Sequence, residues 1–443
     1  MSSFRVTTGM MMNTYRYNLQ GSTKNMDGSR NKVLTHRKFN SYAEDPAAAT
    51  HAWRLRRAFS KNDSYLVNNS DAKARMNIAW TTLGTIKTEL YDKAATTAEL
   101  RGSNDPTADG REPLGTVLNN TAKSIIQAMN GAKYGDHFVF GGDDALNAPF
   151  TWSEDGKTLY YQGVNVNAGL VKNPAEAPEW STSALDPATN LPEDMPAQSD
   201  DPLEQAWIDY YTDQAANGAA GTVPKPSDPP AWGDKDKYGV PEQLNDPNFK
   251  PNGPIEEAWA AYYKDQGDVK RLDELANAQV NTDLGMGLME DENGKVVNGT
   301  AFDMSLPGIK MLGYGVDADG DPKNGVMIIM RLGEILDGYN SETDKFEPPE
   351  NREEYDRLIG KLSDANDLLI SSYSDTDTKG QYLNANEDRL KDQSDYLAEE
   401  ILNLEQVDLA DAITEFSWDY YCYSAALKIG TQLLSQSLID YMR

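Results

Sequence analysis

The last forty residues carry the strongest constraint on how this chain can fold. Ile413, Phe416, Tyr420, Tyr423, Leu427, Gly430 and Leu434 follow one another at alternating steps of three and four. That is a heptad seam, and a heptad seam needs a partner helix. No proline interrupts it, and only Gly430 weakens it. A helix at this end of the chain must pair backwards or with another copy. The opposite end offers a match: Met12, Tyr15, Leu19, Ser22, Met26, Ser29 and Val33 repeat the same spacing. Both ends are therefore predicted to be long helices, with the rest of the chain looped out between them.

Charge agrees with that pairing. Residues 1–45 hold seven Lys/Arg against three Asp/Glu, and residues 400–443 hold two against seven. The two end helices are thus opposite in sign, which favours pairing them with each other. The chain as a whole has a formal charge of −29, of which residues 176–350 supply −23 (12 basic, 35 acidic). Such a balance repels phosphates and argues against a nucleic-acid partner. A length of 443 residues allows roughly two to four domains. With 39% hydrophobic residues and a mean hydropathy of −0.65, elongated, surface-rich domains fit better than one large globule. No run of 18 or more apolar residues occurs, so no membrane span is expected. The start of the chain lacks the basic-then-apolar pattern of an ordinary signal peptide. The single cysteine, Cys422, lies in the terminal seam and reads as a small hydrophobe.

Along the chain, a first helix is predicted from about Thr7 to Phe39. Asp45 then caps a second helix with Pro46 at its first position. Leu55, Phe59, Leu66, Met76, Trp80, Leu83, Ile86 and Leu90 mark the apolar face of that helix, which is predicted to run to about Gly102. A third helix follows Pro113. His137–Gly142 and Leu159–Val164 are rich in strand formers, and Asp155-Gly156 supplies a hairpin turn. Residues 172–254 are dense in Pro, Asp and Ala, which predicts an inserted region with long loops. Residues 296–312 alternate like strands, and Gly325–Leu336 reads as a short helix. Helix resumes after Pro349. Beyond a break at Gly380, Leu383, Leu390, Leu397 and Leu404 recur every seven residues.

The insert contains a repeat. Leu203-Glu204-Gln205-Ala206-Trp207, with Tyr210, Tyr211, Asp213 and Gln214, recurs 52 residues later as Ile255-Glu256-Glu257-Ala258-Trp259, with Tyr262, Tyr263, Asp265 and Gln266. A duplicated helix packing the insert's own core is the plainer reading. An aromatic surface for a glycan or a host protein is the sharper one.

Catalytic motifs are missing. There is no His-Glu-x-x-His, Cys-x-x-Cys, Gly-x-Ser-x-Gly or phosphate loop, and His36, His51 and His137 lack metal-ligand spacing. Asp317-Ala318-Asp319-Gly320-Asp321 resembles the start of a calcium loop. However, Pro322 stands where that loop needs Gly, and Ile328 where it needs a bidentate Glu. An acidic turn is the reading. No catalytic residue, cofactor or metal ligand is expected, and the chain is not expected to be an enzyme.

Several stretches resemble the bacterial flagellin superfamily. Asn77-Ile78-Ala79-Trp80-Thr81-Thr82-Leu83-Gly84 resembles the motif in the long second helix of flagellins and their hook-associated relatives. Asn40 to Ala48 resembles the loop joining their terminal and second domains. Val407 to Ala412, followed by Ser424-Ala425-Ala426-Leu427, resembles their C-terminal helix. Gly135 to Gly142, followed by Ala148-Pro149-Phe150, looks like the hairpin of the hook-associated protein 3 family, and the ending Ser437 to Arg443 leans the same way. The resemblance covers about the first 170 and last 95 residues. Residues 172–330 depart from it.

The resemblance implies a structural subunit at the junction of hook and filament, exported unfolded and located outside the cell. Its implied partners are copies of itself in a ring, hook-associated protein 1, flagellin, an export chaperone and the flagellar secretion apparatus. No membrane partner is implied. The expected fold is mainly α with an α+β insertion: antiparallel coiled-coil-like helices from both termini, β-hairpins at the far end, and a variable outer domain. The expected domains are 1–44 with 401–443, 45–171 with 331–400, and 172–330. Assembly contacts are expected at Met12, Tyr15, Leu19, Met26 and Val33, and at Phe416, Tyr420, Tyr423, Leu427 and Leu434. The terminal segments are expected to order fully only on assembly, losing conformational entropy there.

Overall fold

Helix α1 (Thr8–Thr35) stops where His36 turns into the left-handed region at φ 59°, four residues before the predicted end. Asp45 caps α2 (Pro46–Thr85) as its sequence predicts: Oδ1 accepts from the backbone N–H groups of Ala47 (3.1 Å) and Ala48 (2.9 Å). The helical path then widens into a π-helical turn (Ile86–Tyr91) before α3 (Asp92–Ser103), so the predicted single rod is interrupted. Helix α4 (Arg111–Gly131) leads to strands β1 (Lys133–Tyr134), β2 (His137–Phe138), β3 (Phe150–Trp152), β4 (Leu159–Tyr161) and β5 (Val164–Asn165). Two helices, α5 (Pro202–Asn217) and α6 (Pro254–Ala276), carry the repeat. After them come β6 (Asn281–Thr282), β7 (Phe302–Asp303), α7 (Gly308–Leu312), α8 (Gly325–Asp337), β8 (Tyr339–Asn340) and β9 (Lys345–Phe346). Helices α9 (Asn351–Glu405) and α10 (Leu409–Tyr441) complete the chain.

This computed structural model describes residues 8–39, 41, 43–103, 111–186, 189–199, 201–217, 223–340, 345–346 and 351–441. It is 63% helix and 7% strand, with small antiparallel sheets: a mainly α protein with a β-containing insertion. Two local expectations fail. Gly380 does not break α9, because one interior glycine costs only about 1 kcal/mol and the buried Leu383 and Leu390 hold the helix on. Residues 296–312 form one two-residue strand and a helical turn. Pro307 starts that turn, and Gly308 lets it approach Phe140 and Phe150 closely.

The chain divides into two compact units, residues 1–69 with 385–443 and residues 70–384. In the first, α1 and α10 pack along each other and run antiparallel. Lys32 Nζ reaches both oxygens of Glu415 at 3.0 Å, and further along Tyr15 lies over Gly430. The connecting loops also pair, the Lys38 N–H donating to the Glu405 carbonyl at 2.7 Å. Elsewhere in this unit the start of α2 meets the end of α9. Asn62 Nδ2 donates to the Leu390 carbonyl (2.7 Å), and Asn386 Nδ2 donates to Asn69 Oδ1 (2.9 Å), all out of solvent.

In the second unit the core is built around α8, which buries ten of its thirteen residues and lies along α4. The two helices come close because Gly115 and Gly333 face each other; a Cβ on either would strike the other's carbonyl region. Gly325 likewise makes room for the ring of Tyr91 from the π-helical turn. Fully burying each of Ile328, Ile329, Leu332, Ile335 and Leu336 stabilises by roughly 1.5–3 kcal/mol. The boundary expected near residue 330 falls inside this helix. The predicted Asp155-Gly156 turn joins β3 to β4, and Phe150 and Tyr161 seal that sheet against the core.

Candidate assembly surface

The seam between α1 and α10 follows a different thread from the one the spacing suggests. On α1, Met12, Tyr15, Leu19, Met26 and Val33 are all half-buried, and Ser29 is buried. On α10 the residues turned from solvent, where side chains are described, are Ala412, Phe416, Asp419, Cys422, Tyr423, Ala425, Ala426 and Gly430. Phe416 and Tyr423 are thus on the seam, whereas Ile413, Tyr420 and Leu427 are 47%, 57% and 41% exposed. Leu434 belongs to α10, but its side chain lies outside the described residues. The cause is that α10 is apolar around most of its circumference, so it carries more than one 3-4 thread. Packing selects the one with the small residues Ala412, Ala426 and Gly430, because two helices approach closely there. Gly430 is therefore no weak point: it is the recess that takes the Tyr15 ring.

Large apolar side chains consequently remain on the outside of the helix pair. Trp418 (68% exposed) stacks on Tyr421 (67%) at 6.2 Å between ring centres. With Asp411, Thr414, Glu415 and Ser417 they border an open groove of about 860 Å³. Met10, Met11, Tyr17 and Leu34 add exposed apolar area on α1. Apolar side chains exposed together in this way make a candidate contact surface.

The aromatic repeat of the insert is mostly inside. Trp207 and Trp259 are 1% and 5% exposed. The structure also extends the duplication beyond what the helix sequences reveal. Trp180 packs edge-on against Tyr211 at 5.6 Å, and Trp232, 52 residues later, against Tyr263 at 6.3 Å. The recurring signal in the sequence was Pro174, Pro178 and Trp180, matched by Pro226, Pro230 and Trp232. The halves are tied reciprocally: Asp213 in α5 accepts from the Val223 N–H (2.9 Å), and Asp265 in α6 accepts from the Val171 N–H (3.1 Å). Each half's helix carboxylate caps the beginning of the other half.

The acidic turn brings Asp317, Asp319 and Asp321 together, with ligand atoms close enough to share a cation. A protein ammonium already lies among them. Lys361 Nζ is 2.5 Å from Asp317 Oδ2, 3.0 Å from Asp319 Oδ2 and 2.5 Å from Asp321 Oδ2. Arg357 adds two bonds to Asp321, at 2.5 and 3.0 Å. The Arg357 guanidinium chiefly holds the Asp321 carboxyl below the usual carboxylate range; burial opposes this, and Lys361 reinforces it. The cluster is a clamp of α9 onto the loop before α8.

Among the described residues, no helix is long and apolar enough to cross a membrane. A scan against protein-family models and a search of curated proteins returned no match for this chain.

Proposed function

We propose that this chain is a structural subunit of the bacterial flagellum, of the hook-associated protein 3 type, which joins hook to filament through its terminal helices. The observation that supports this most is the α1–α10 pair: the two ends of the chain complete one seam, yet the pair keeps a second apolar face outward. In this reading the pair is a coiled-coil-like unit, and its outer face, with Tyr420, Trp418, Tyr421 and Leu427, meets neighbouring copies in a ring. Hook-associated protein 1 and flagellin would flank that ring. The resemblance of residues 40–48, 77–84 and 135–142 to the superfamily supports the same assignment. The acidic insert would face solvent, where like charge limits unwanted association.

Flagellin itself is the rival reading, and location separates the two. Fluorescent labelling of the protein on intact cells is expected to mark one spot at each filament base. Label along the whole filament would make it the filament subunit, and absence from flagella would overturn both. A binding role for the repeat aromatics is disfavoured by the burial of Trp207 and Trp259.

A further inference from the structure

Two stripes of opposite charge run along the first unit. On α2 the exposed Arg54, Arg57 and Lys61 follow one another at steps of three and four. On α9 the exposed Asp388, Asp392, Asp395 and Glu399 follow at steps of four, three and four. The two helices meet through the buried Asn62, Asn69, Asn386 and Leu390, which leaves both stripes on faces turned away from that contact. The stripes also stand at the same height. Asn62, next to Lys61, donates to the Leu390 carbonyl at 2.7 Å, and Arg56 pairs with Glu405 at 2.5 Å. Like charges three and four residues apart repel and weaken a helix. Among the described residues, none of the four carboxylates has an ion-pair partner; the nearby Lys391 pairs instead with Glu387. Exposed apolar groups flank both stripes, Trp53 on α2 and Tyr396 with Leu402 on α9.

We propose that the acidic stripe of α9 in one copy docks on the basic stripe of α2 in the next, an inference that rests on the ring assembly above and names a second lateral contact in it. Because the two surfaces differ, each copy offers one to either neighbour, and repetition closes a ring when the rotation between copies allows it. Exposed ion pairs hold copies together only weakly. What they supply is direction and level: unlike stripes attract and like stripes repel, so copies meet α2 to α9 and side by side. Trp53, Tyr396 and Leu402 add apolar contact at the edges.

The test uses ordinary and isotope-labelled full-length protein, mixed and concentrated at low salt. A carbodiimide then joins amines to carboxylates as amides. Peptide mass spectrometry is expected to find Lys61 joined to Asp392, Asp395 or their stripe neighbours in mixed-isotope pairs. The yield should fall roughly tenfold when salt is raised from about 50 mM to about 0.5 M. Arg54→Glu/Arg57→Glu/Lys61→Glu and Asp388→Lys/Asp392→Lys/Asp395→Lys/Glu399→Lys should each lose the cross-linked dimer when alone. An equimolar mixture of the two variants should regain it, because opposite charges face each other again. All seven positions are exposed, so both variants should keep the parent's circular dichroism spectrum. Cross-links confined to single chains, or an equal dimer yield from each variant alone, would overturn the contact. Mixed-isotope cross-links in a protein that labels no flagella would support this contact and remove the flagellar assignment. Label at the filament base without such cross-links would do the reverse.

Discussion

Tyr15 and Gly430 are a matched pair. A side chain at 430 would occupy the space of the Tyr15 ring, so either the ring or the helix must move. Gly430→Leu is expected to destabilise the terminal unit by about 1–3 kcal/mol, the usual range for overpacking, with loss of helical circular dichroism on mild heating. Tyr15→Ala should restore part of that loss if the ring is the obstacle; no restoration would show that the seam runs elsewhere. The Asp321 clamp makes a second prediction at this scale. Arg357→Met leaves a nearly buried carboxylate with Lys361 alone, at a cost of about 2 kcal/mol at pH 7. Because the folded pKa of Asp321 is depressed, this stabilisation is fully present above about pH 4, near the unfolded value. It is lost as pH falls through the folded pKa. Urea unfolding should therefore separate variant from parent at pH 7 and bring them together towards pH 2; a constant gap would count against the clamp.

Among the elements, the buried asparagines between α2 and α9 stand out. Asn62 and Asn69 are seven residues apart, one heptad, and each meets a polar group of α9. Polar residues buried at such positions fix register, at some expense in stability. Asn386→Leu alone is expected to destabilise by about 1–3 kcal/mol, and the Asn69→Leu/Asn386→Leu pair by less than the sum. Thermal unfolding of the four proteins of this cycle measures the coupling; simple additivity would mean that the two amides act separately. These asparagines also mark where sequence reading stops. The helices, the Asp45 cap, the Asp155-Gly156 turn and the Leu383–Leu390–Leu397 line were legible because apolar spacing and cap chemistry are local. The π-helical turn was not, since no local spacing marks it, and the Gly325 that receives its Tyr91 ring lies 234 residues away. The α10 thread was not, because alanines and a glycine carry it while larger residues nearby draw the eye. The partner of the acidic turn was not, because Lys361 lies 40 residues beyond Asp321.

At the scale of the whole molecule, stability is unevenly distributed. Helix α8 buries ten of its thirteen residues, whereas α1 and α10 each keep a broad flank in water. In a dilute monomer the amides of α1 and α10 should exchange with deuterium faster than those of α8; equal protection would contradict completion of the ends on assembly. Leu427→Asp places a charge on the outward face, off the seam, so the folded monomer should survive with an unchanged circular dichroism spectrum. Motility should be lost. Normal swimming in that variant would remove the outer face from the assembly contact.

The crossed bonds of Asp213 to Val223 and of Asp265 to Val171 make the insert resemble a dimer written into one chain. Half of it could not stand alone: one start would go uncapped, and a tryptophan-bearing helix would lose the twin it packs on. Natural length variants of this segment should therefore gain or lose such halves in even numbers.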